Sequence, residues 1–228
     1  MKNKNVKFNP KKPYIIICEG ADEYFFLIEY LNYLENTEAL FKDCHYVIDF
    51  GGIDDVNNGI EDIKIYPHYE DMKGFLIIRD AETKVNSAVE SLQYRIKETW
   101  GIEIKETGEI KTDKDNVKVG FFLLPGKNEQ GRFRNGTLED LCWDILLDSK
   151  ESVSLEKLLN SVDDYITKIE KIREEDMKRR HKNKLHLYFS STDLFVGSKI
   201  GEAAKYGAFD FSNEKMTDLK KMILQMQD

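Results

Sequence analysis

Tyr14-Ile15-Ile16-Ile17-Cys18-Glu19-Gly20-Ala21-Asp22 decides the fold. Five consecutive apolar residues, three of them β-branched, match one strand in length and show no alternation, as a strand buried on both faces of a parallel sheet does. Glu19-Gly20 ends the run abruptly. From Asp22 to Leu34, the residues Phe25, Phe26, Ile28, Leu31 and Leu34 recur at helical spacing. Strand, tight turn and helix thus follow one another as the opening half of a βαβ unit.

The pattern recurs outward from there. Tyr46-Val47-Ile48-Asp49-Phe50 reads as a strand and Gly51-Gly52 as a turn, with Asp54 capping a helix that carries Val56, Ile60 and Ile63. Gly74 to Arg79 is a third strand, running into Asp80-Ala81-Glu82-Thr83 and then a helical spacing of Val85, Ala88, Val89, Leu92 and Ile96 up to Trp100-Gly101. Three strand-turn-helix units predict a mostly parallel sheet with right-handed crossovers. The polar, alternating stretch Ile102–Lys118 predicts an exposed hairpin or loop. Val119 to Leu124 is the last clear strand, closed by Pro125-Gly126; a charged loop from Lys127 to Asn135 then leads to a helix capped by Thr137. Beyond it, Leu158, Leu159, Val162, Ile166, Ile169 and Ile172 form a helical stripe. Tyr165 and Tyr188 read as members of such stripes, hence as core, and two short helical patterns follow around Ala203-Ala204 and from Leu219 to Met226.

Composition narrows the function classes. The chain has 228 residues, 41% hydrophobic and 33% charged, which suits one α/β domain with appendages. It contains no apolar run near the roughly 18 residues of a membrane span, and Tyr14 to Cys18 is too short for a signal segment, so a cytoplasmic protein with no membrane partner is expected. Cys18, Cys44 and Cys142 lack paired spacing and read as buried thiols; the four histidines are not spaced with them as zinc ligands. A net charge of −8 argues against coating nucleic acid through overall attraction. A local groove stays open, and Lys178-Arg179-Arg180-His181-Lys182-Asn183-Lys184 is the densest positive run, readable as a solvated helical face or as a phosphate-binding patch.

In an open parallel sheet, functional groups gather past the carboxyl ends of the strands. Glu19 and the pair Asp80 and Glu82 both fall there. One acid after a strand is often only a helix cap, but two strands ending in acids form a joint pattern. Clustered carboxylates repel unless a cation neutralises them, and hard oxygen ligands select Mg²⁺ or Mn²⁺ over zinc.

Cys18-Glu19-Gly20-Ala21-Asp22 resembles the hEGxxD signature of the Toprim domain, shared by topoisomerases, bacterial primases and nucleases of the OLD (overcoming lysogenization defect) family. Asp80-Ala81-Glu82 resembles its DxD motif, with Glu in place of the second Asp and Arg79 ahead of the pair. Gly136-Thr137-Leu138-Glu139-Asp140 is similar to a Gly-x-Leu-Glu-Asp element of stand-alone OLD-like Toprim proteins of uncharacterised bacterial families. The resemblance covers residues 13 to about 148 well and the rest weakly. It implies a Toprim-like Rossmannoid parallel sheet flanked by helices over 13–148, as the metal-binding domain, with a helical C-terminal extension over 149–228 packed on it.

For chemistry, the resemblance implies Glu19 as metal ligand or general acid/base, with Asp80 and Glu82 holding Mg²⁺ or Mn²⁺ beside a scissile phosphate. Glu139 and Asp140 would complete a second metal position, their other reading being acids in the first turn of a helix. Lys127, Arg132 and Arg134, in the loop entering that helix, are candidates for phosphate contact. The expected function is that of a small metal-dependent phosphodiesterase, nuclease-like, acting on DNA or RNA. A toxin-like or phage-defence role and a separately encoded ATPase partner are implications of the family alone, and the oligomeric state is left open. One rival is a non-catalytic nucleic-acid or partner-binding module with a degenerate metal site. Another is a phospho-acceptor domain, which needs a lysine after a later strand and finds only the displaced Lys127.

Overall fold

The computed structural model describes residues 12–38, 40–52, 56, 58–60, 63–65, 68–105, 108–149 and 153–228. The chain alternates strands and helices as its apolar runs require: β1 (Tyr14–Cys18), α1 (Ala21–Thr37), β2 (His45–Asp49), β3 (Gly74–Asp80), α2 (Val85–Trp100), β4 (Ile110–Thr112), β5 (Lys118–Leu124), α3 (Leu138–Asp148), α4 (Val153–Arg173), α5 (Arg180–Ser190), α6 (Ile200–Lys205) and α7 (Thr217–Gln227). Residues 56 and 58–60 are helical, while the predicted cap Asp54 lies outside the described residues.

The sheet has the order β2-β1-β3-β5-β4. β2, β1, β3 and β5 are parallel, with Cys18 level with Asp49 on one side and Ile78 on the other, and Asp80 level with Leu124. β4 pairs antiparallel with β5 at one edge. The fold is therefore α/β, a mostly parallel five-stranded sheet flanked by helices and followed by C-terminal helices. From β1 the chain steps outward to β2, then crosses back over β1 to β3. The boundary between β1 and β3 is thus where winding reverses, and the loops leaving those two strands diverge there.

Two layers of helices cover the sheet. Phe75 on β3 packs against Trp100 of α2 and Tyr69, with ring centroids 5.5 and 5.9 Å apart. On the other face, α7 presses Met226 and Met222 onto Gly74 and Gly120, where the missing side chains let the helix approach. α1 shares that face, since the Tyr30 hydroxyl donates to the Met216 carbonyl, one residue before α7.

Three expectations need correction. The segment before β4 is not wholly exposed: Ile102, Ile104 and Val117 are buried. Single apolar residues alternating with charged ones put one edge of that strand-like stretch inward, and Gln93 of α2 donates to the Ile104 carbonyl at 2.8 Å. Tyr165 is exposed although Tyr188 is core, because α4 buries only Leu159, Val162 and Ile166. Cys44 is half-buried, whereas Cys18 and Cys142 are buried free thiols. Among the described residues, no helix is long and apolar enough to cross a membrane.

Candidate functional site

The reversal point between β1 and β3 opens into a crevice of about 610 Å³. Glu19, Gly20, Ala21, Asp22 and Glu23 reach it from the β1–α1 turn, Asp80 and Glu82 from the end of β3, and Thr137 and Glu139 from the start of α3. Strand ends supply the first two sets because a parallel strand must stop there for its crossover helix to begin. The third arrives because β5 lies beside β3, so its following helix starts next to Asp80.

Backbone contacts tie these three sources together. Glu82 and Gly136 exchange two hydrogen bonds of 2.8 Å. They form an antiparallel bridge that holds Glu82 in a left-handed conformation, φ 54°, uncommon for a non-glycine residue. Asp80 accepts from the Leu138 N–H at 2.9 Å. Thr137 caps α3 in a capping box whose N3 acid is Asp140, with the Asp140 carboxylate accepting from the Thr137 N–H at 2.9 Å. Asp140 is thereby turned to its own helix start, with His181 3.6 Å away, while Glu139 takes the Thr137 hydroxyl at 2.8 Å and lines the crevice.

Asp80 and Glu139 form the deep floor, each only 8% exposed, and Glu82 stands at the exposed rim. Burial, followed by the charges of Glu23, Glu139 and Glu19, pushes the Asp80 carboxyl well above its usual range. Glu23 is pushed up to about 7, mainly by burial, with Glu139, Glu19 and Asp22 adding repulsion. Its carboxylate folds back over Gly20, into space that a Cβ at that position would contest. Glu19 is raised by burial, against the opposing pull of Arg79 and a hydrogen bond from the Asp80 N–H. One Glu19 carboxylate oxygen is buried without a hydrogen-bond partner among the described residues. Glu139 is the exception: burial raises it, but the Thr137 hydroxyl, its own N–H and Lys182 together hold it below the usual range.

Arg79, 4% exposed, lies on β3 one position past the Cys18–Ile78 level and so comes alongside Glu19. Two of its guanidinium nitrogens, Nε and Nη1, have no hydrogen-bond partner among the described residues. It acts as a buried positive charge beneath the acids, not as a surface group.

The crevice lining is also basic in part. Lys178, Arg179, His181, Lys182 and Lys199 belong to it. The run 178–184 divides by helical phase as α5 docks against α3 and α4. Arg180 and Lys184 turn to α4, pairing with Asp163 and Glu170. Lys182 turns to the acids, 3.2 Å from Glu139 and 3.8 Å from Asp22. Lys178, Arg179 and Lys199 make no ion pair with a described residue.

The structure therefore brings together Glu19, Asp80, Glu82 and Glu139, sets Asp140 behind them as a cap, and takes the loop basics elsewhere. Lys127 and Arg134 line a separate cleft of about 780 Å³ with Phe122, Asp144 and Lys215. There Lys127 lies over the Phe133 ring and Arg134 pairs with Asp144, while Arg132 is exposed and lines neither cleft. The loop 126–134 closes on itself, the Arg134 N–H donating to Gly126 and the Gly126 N–H to Leu123, which carries these side chains away from the acids. Lys127 is likewise absent from the crevice where a phospho-acceptor site would need it.

Glu23 was missed from the sequence, although the signal was there. The hEGxxD pattern counted from Cys18 puts its last acid at residue 23, one beyond Asp22.

The chemistry of the residues present suits a hard divalent cation: their donors are carboxylate oxygens, one of them orphaned, and burial together with repulsion among them raises Asp80 and Glu23. As they stand, no three Asp, Glu, His or Cys side chains among the described residues converge closely enough to hold an ion. The ammonium of Lys182 supplies positive charge beside Glu139 and Asp22 instead.

The chain belongs to the family described as "Protein of unknown function (DUF3226)", which matches residues 13–227. No curated protein and no solved structure matches it.

Proposed function

We propose that the crevice is the site of a Mg²⁺- or Mn²⁺-dependent phosphodiesterase acting on nucleic acid, in keeping with the Toprim-like reading of Glu19, Asp80 and Glu82. The observation that carries this reading is that one crevice is lined by both acids and bases. Buried carboxylates, with Asp80 raised by burial and by its acidic neighbours, share it with Lys178, Arg179, Lys182 and Lys199. A phosphodiester needs both, a metal to neutralise one side and side-chain cations for the flanking phosphates.

Glu19, Asp80 and Glu82 would hold the ion, with Glu139 able to join once Lys182 leaves it. The ion's contribution is to neutralise charge at the scissile phosphate and acidify a bound water. Arg79 supplies a buried positive charge near Glu19, and the Thr137 hydroxyl holds the Glu139 carboxylate. Lys182, released from Glu139 and Asp22, would turn to the phosphate. Glu23, raised to about 7 by burial, is placed to take or give a proton near neutral pH.

Incubation of the purified protein with single-stranded and duplex DNA and RNA, with and without Mn²⁺, tests this. Cleavage that requires the metal and falls at least about 100-fold in Glu19→Gln and Asp80→Asn is expected. Intact substrate under all conditions, with the nucleic acid still bound, would favour the non-catalytic module.

A further inference from the structure

We infer that the crevice takes single-stranded nucleic acid and that Phe25 is the platform on which a base flanking the central phosphate stacks. This rests on the phosphodiester reading above, and it names that site's substrate class.

Depth is the first argument. Asp80 and Glu139 lie on the floor, 8% exposed, so a phosphate has to descend to reach them. A flexible single strand can lower one phosphate into the crevice, whereas the phosphates of a duplex are held on a stiff paired backbone. The overall charge of −8 also removes any general attraction, so binding depends on local cations that track one strand. Lys178, Arg179 and Lys199, which pair with no described residue, stand along the wall where that strand would enter.

Phe25 supplies the second element. It lies one helical turn after Ala21, which lines the crevice, and residues four apart share a helix face. The Cα–Cβ bonds of a helix tilt toward its N-terminus, the end of α1 that opens on the crevice. It is 55% exposed, yet it is held at both ends. Its Cβ sits where a side chain on Gly201 of α6 would otherwise be, and Tyr24 meets its ring edge-to-face at 5.0 Å. Lys199, two residues before Gly201, lines the crevice and so brings a cation next to the α1–α6 junction that holds Phe25. A fixed aromatic face beside unpaired cations is the pairing by which single strands are held without sequence readout, and bases locked in a duplex cannot use it.

The test is fluorescence anisotropy with labelled oligonucleotides of about 12 nucleotides, as single-stranded DNA, single-stranded RNA and DNA duplex, each in EDTA and in Ca²⁺. Single strands should bind at least about tenfold tighter than duplex, and the DNA and RNA arms separate the two sugars. Phe25→Ala should weaken single-strand binding about tenfold and leave duplex binding unchanged. Phe25→Trp should retain it and Phe25→Leu should not, which separates stacking from bulk and from misfolding. The salt dependence should have a slope near −2, for three phosphates at roughly 0.7 each, falling by about 0.7 in Arg179→Gln.

Equal binding by the Phe25→Ala variant, duplex binding as tight as single-strand binding, or no single-strand binding in either buffer would overturn the assignment. Selective single-strand binding without metal-dependent cleavage would instead fail the phosphodiesterase reading alone. Phe25-independent cleavage of duplex would fail this one alone.

Discussion

Single side chains here carry opposing electrostatic costs, and two of them make sharp predictions. Buried Asp80, repelled by Glu23, Glu139 and Glu19, is most costly when all are ionised. A cation that binds the folded protein should therefore stabilise it by mass action, by about 2.7 kcal/mol at a hundredfold excess over Kd. Mn²⁺ is expected to raise Tm by several degrees in the wild type and by little in Asp80→Asn, read by a thermal melt. His45 tests a group far from the crevice. It is 6% exposed, stacked on Tyr14 with ring centroids 5.3 Å apart, and neither ring nitrogen has a partner among the described residues. Burial, with Lys12 adding to it, lowers its pKa to about 4. The unfolded chain, with His45 near 6.5, thus binds the proton that the folded one refuses. Stability from this group is complete above pH 6.5 and is lost progressively as pH falls toward 4, up to about 3 kcal/mol. Glu19, Glu23 and Asp80, raised in the fold, work with the opposite sign over part of that range. The measurement is therefore the difference between wild type and His45→Phe in urea unfolding at pH 4.5 and 7.5. The wild type should lose about 2–3 kcal/mol more than the variant on acidification. At this scale the acids Glu19, Asp80, Glu82 and Glu139 were legible, since each follows a strand or opens a helix. Glu23 was missed through a one-residue miscount of the motif, and Arg79 was noted only as a neighbour of the acidic pair, because its role comes from burial beside Glu19, which its place in the sequence does not convey.

At the scale of elements, unbroken apolar runs made β1, β3 and β5 easy to read, and helical spacing did the same for α1 and α2. What the local pattern could not convey is where a helix docks. Residues 178–184 could be recognised as basic, but their division between α4 and the crevice depends on α5 packing against α3, some 40 residues earlier in the chain. The loop basics Lys127, Arg132 and Arg134 failed for the related reason that loop 126–134 closes on its own backbone. The junction of α1 with α6 offers a direct check on docking. Any side chain on Gly201 would collide with the Cβ of Phe25. Gly201→Ala should cost about 1–3 kcal/mol through overpacking, despite the gain in helix propensity. A fall in the urea midpoint at unchanged m-value is the expected reading; an unchanged or raised midpoint would mean that α6 sits farther from α1.

Over the whole molecule, the sheet and its C-terminal helices depend on each other. Leu219, Met222, Ile223 and Met226 of α7 are buried, and Met222 and Met226 lie on Gly120 and Gly74 toward the N-terminal ends of β5 and β3 on one sheet face. Deleting residues 217–227 would open that face to water, so the shortened chain is expected to lose its cooperative thermal transition, followed by circular dichroism. A truncated chain that still melts sharply would make α7 an accessory. The same arrangement sets a timetable during synthesis. β3 is translated some 140 residues before the helix that covers it, so β1, β2 and β3 must wait with an apolar flank uncovered until α7 emerges from the ribosome. Over that interval the chain needs either a chaperone's cover or rapid elongation, and pauses in translation between β5 and α7 are where aggregation would begin.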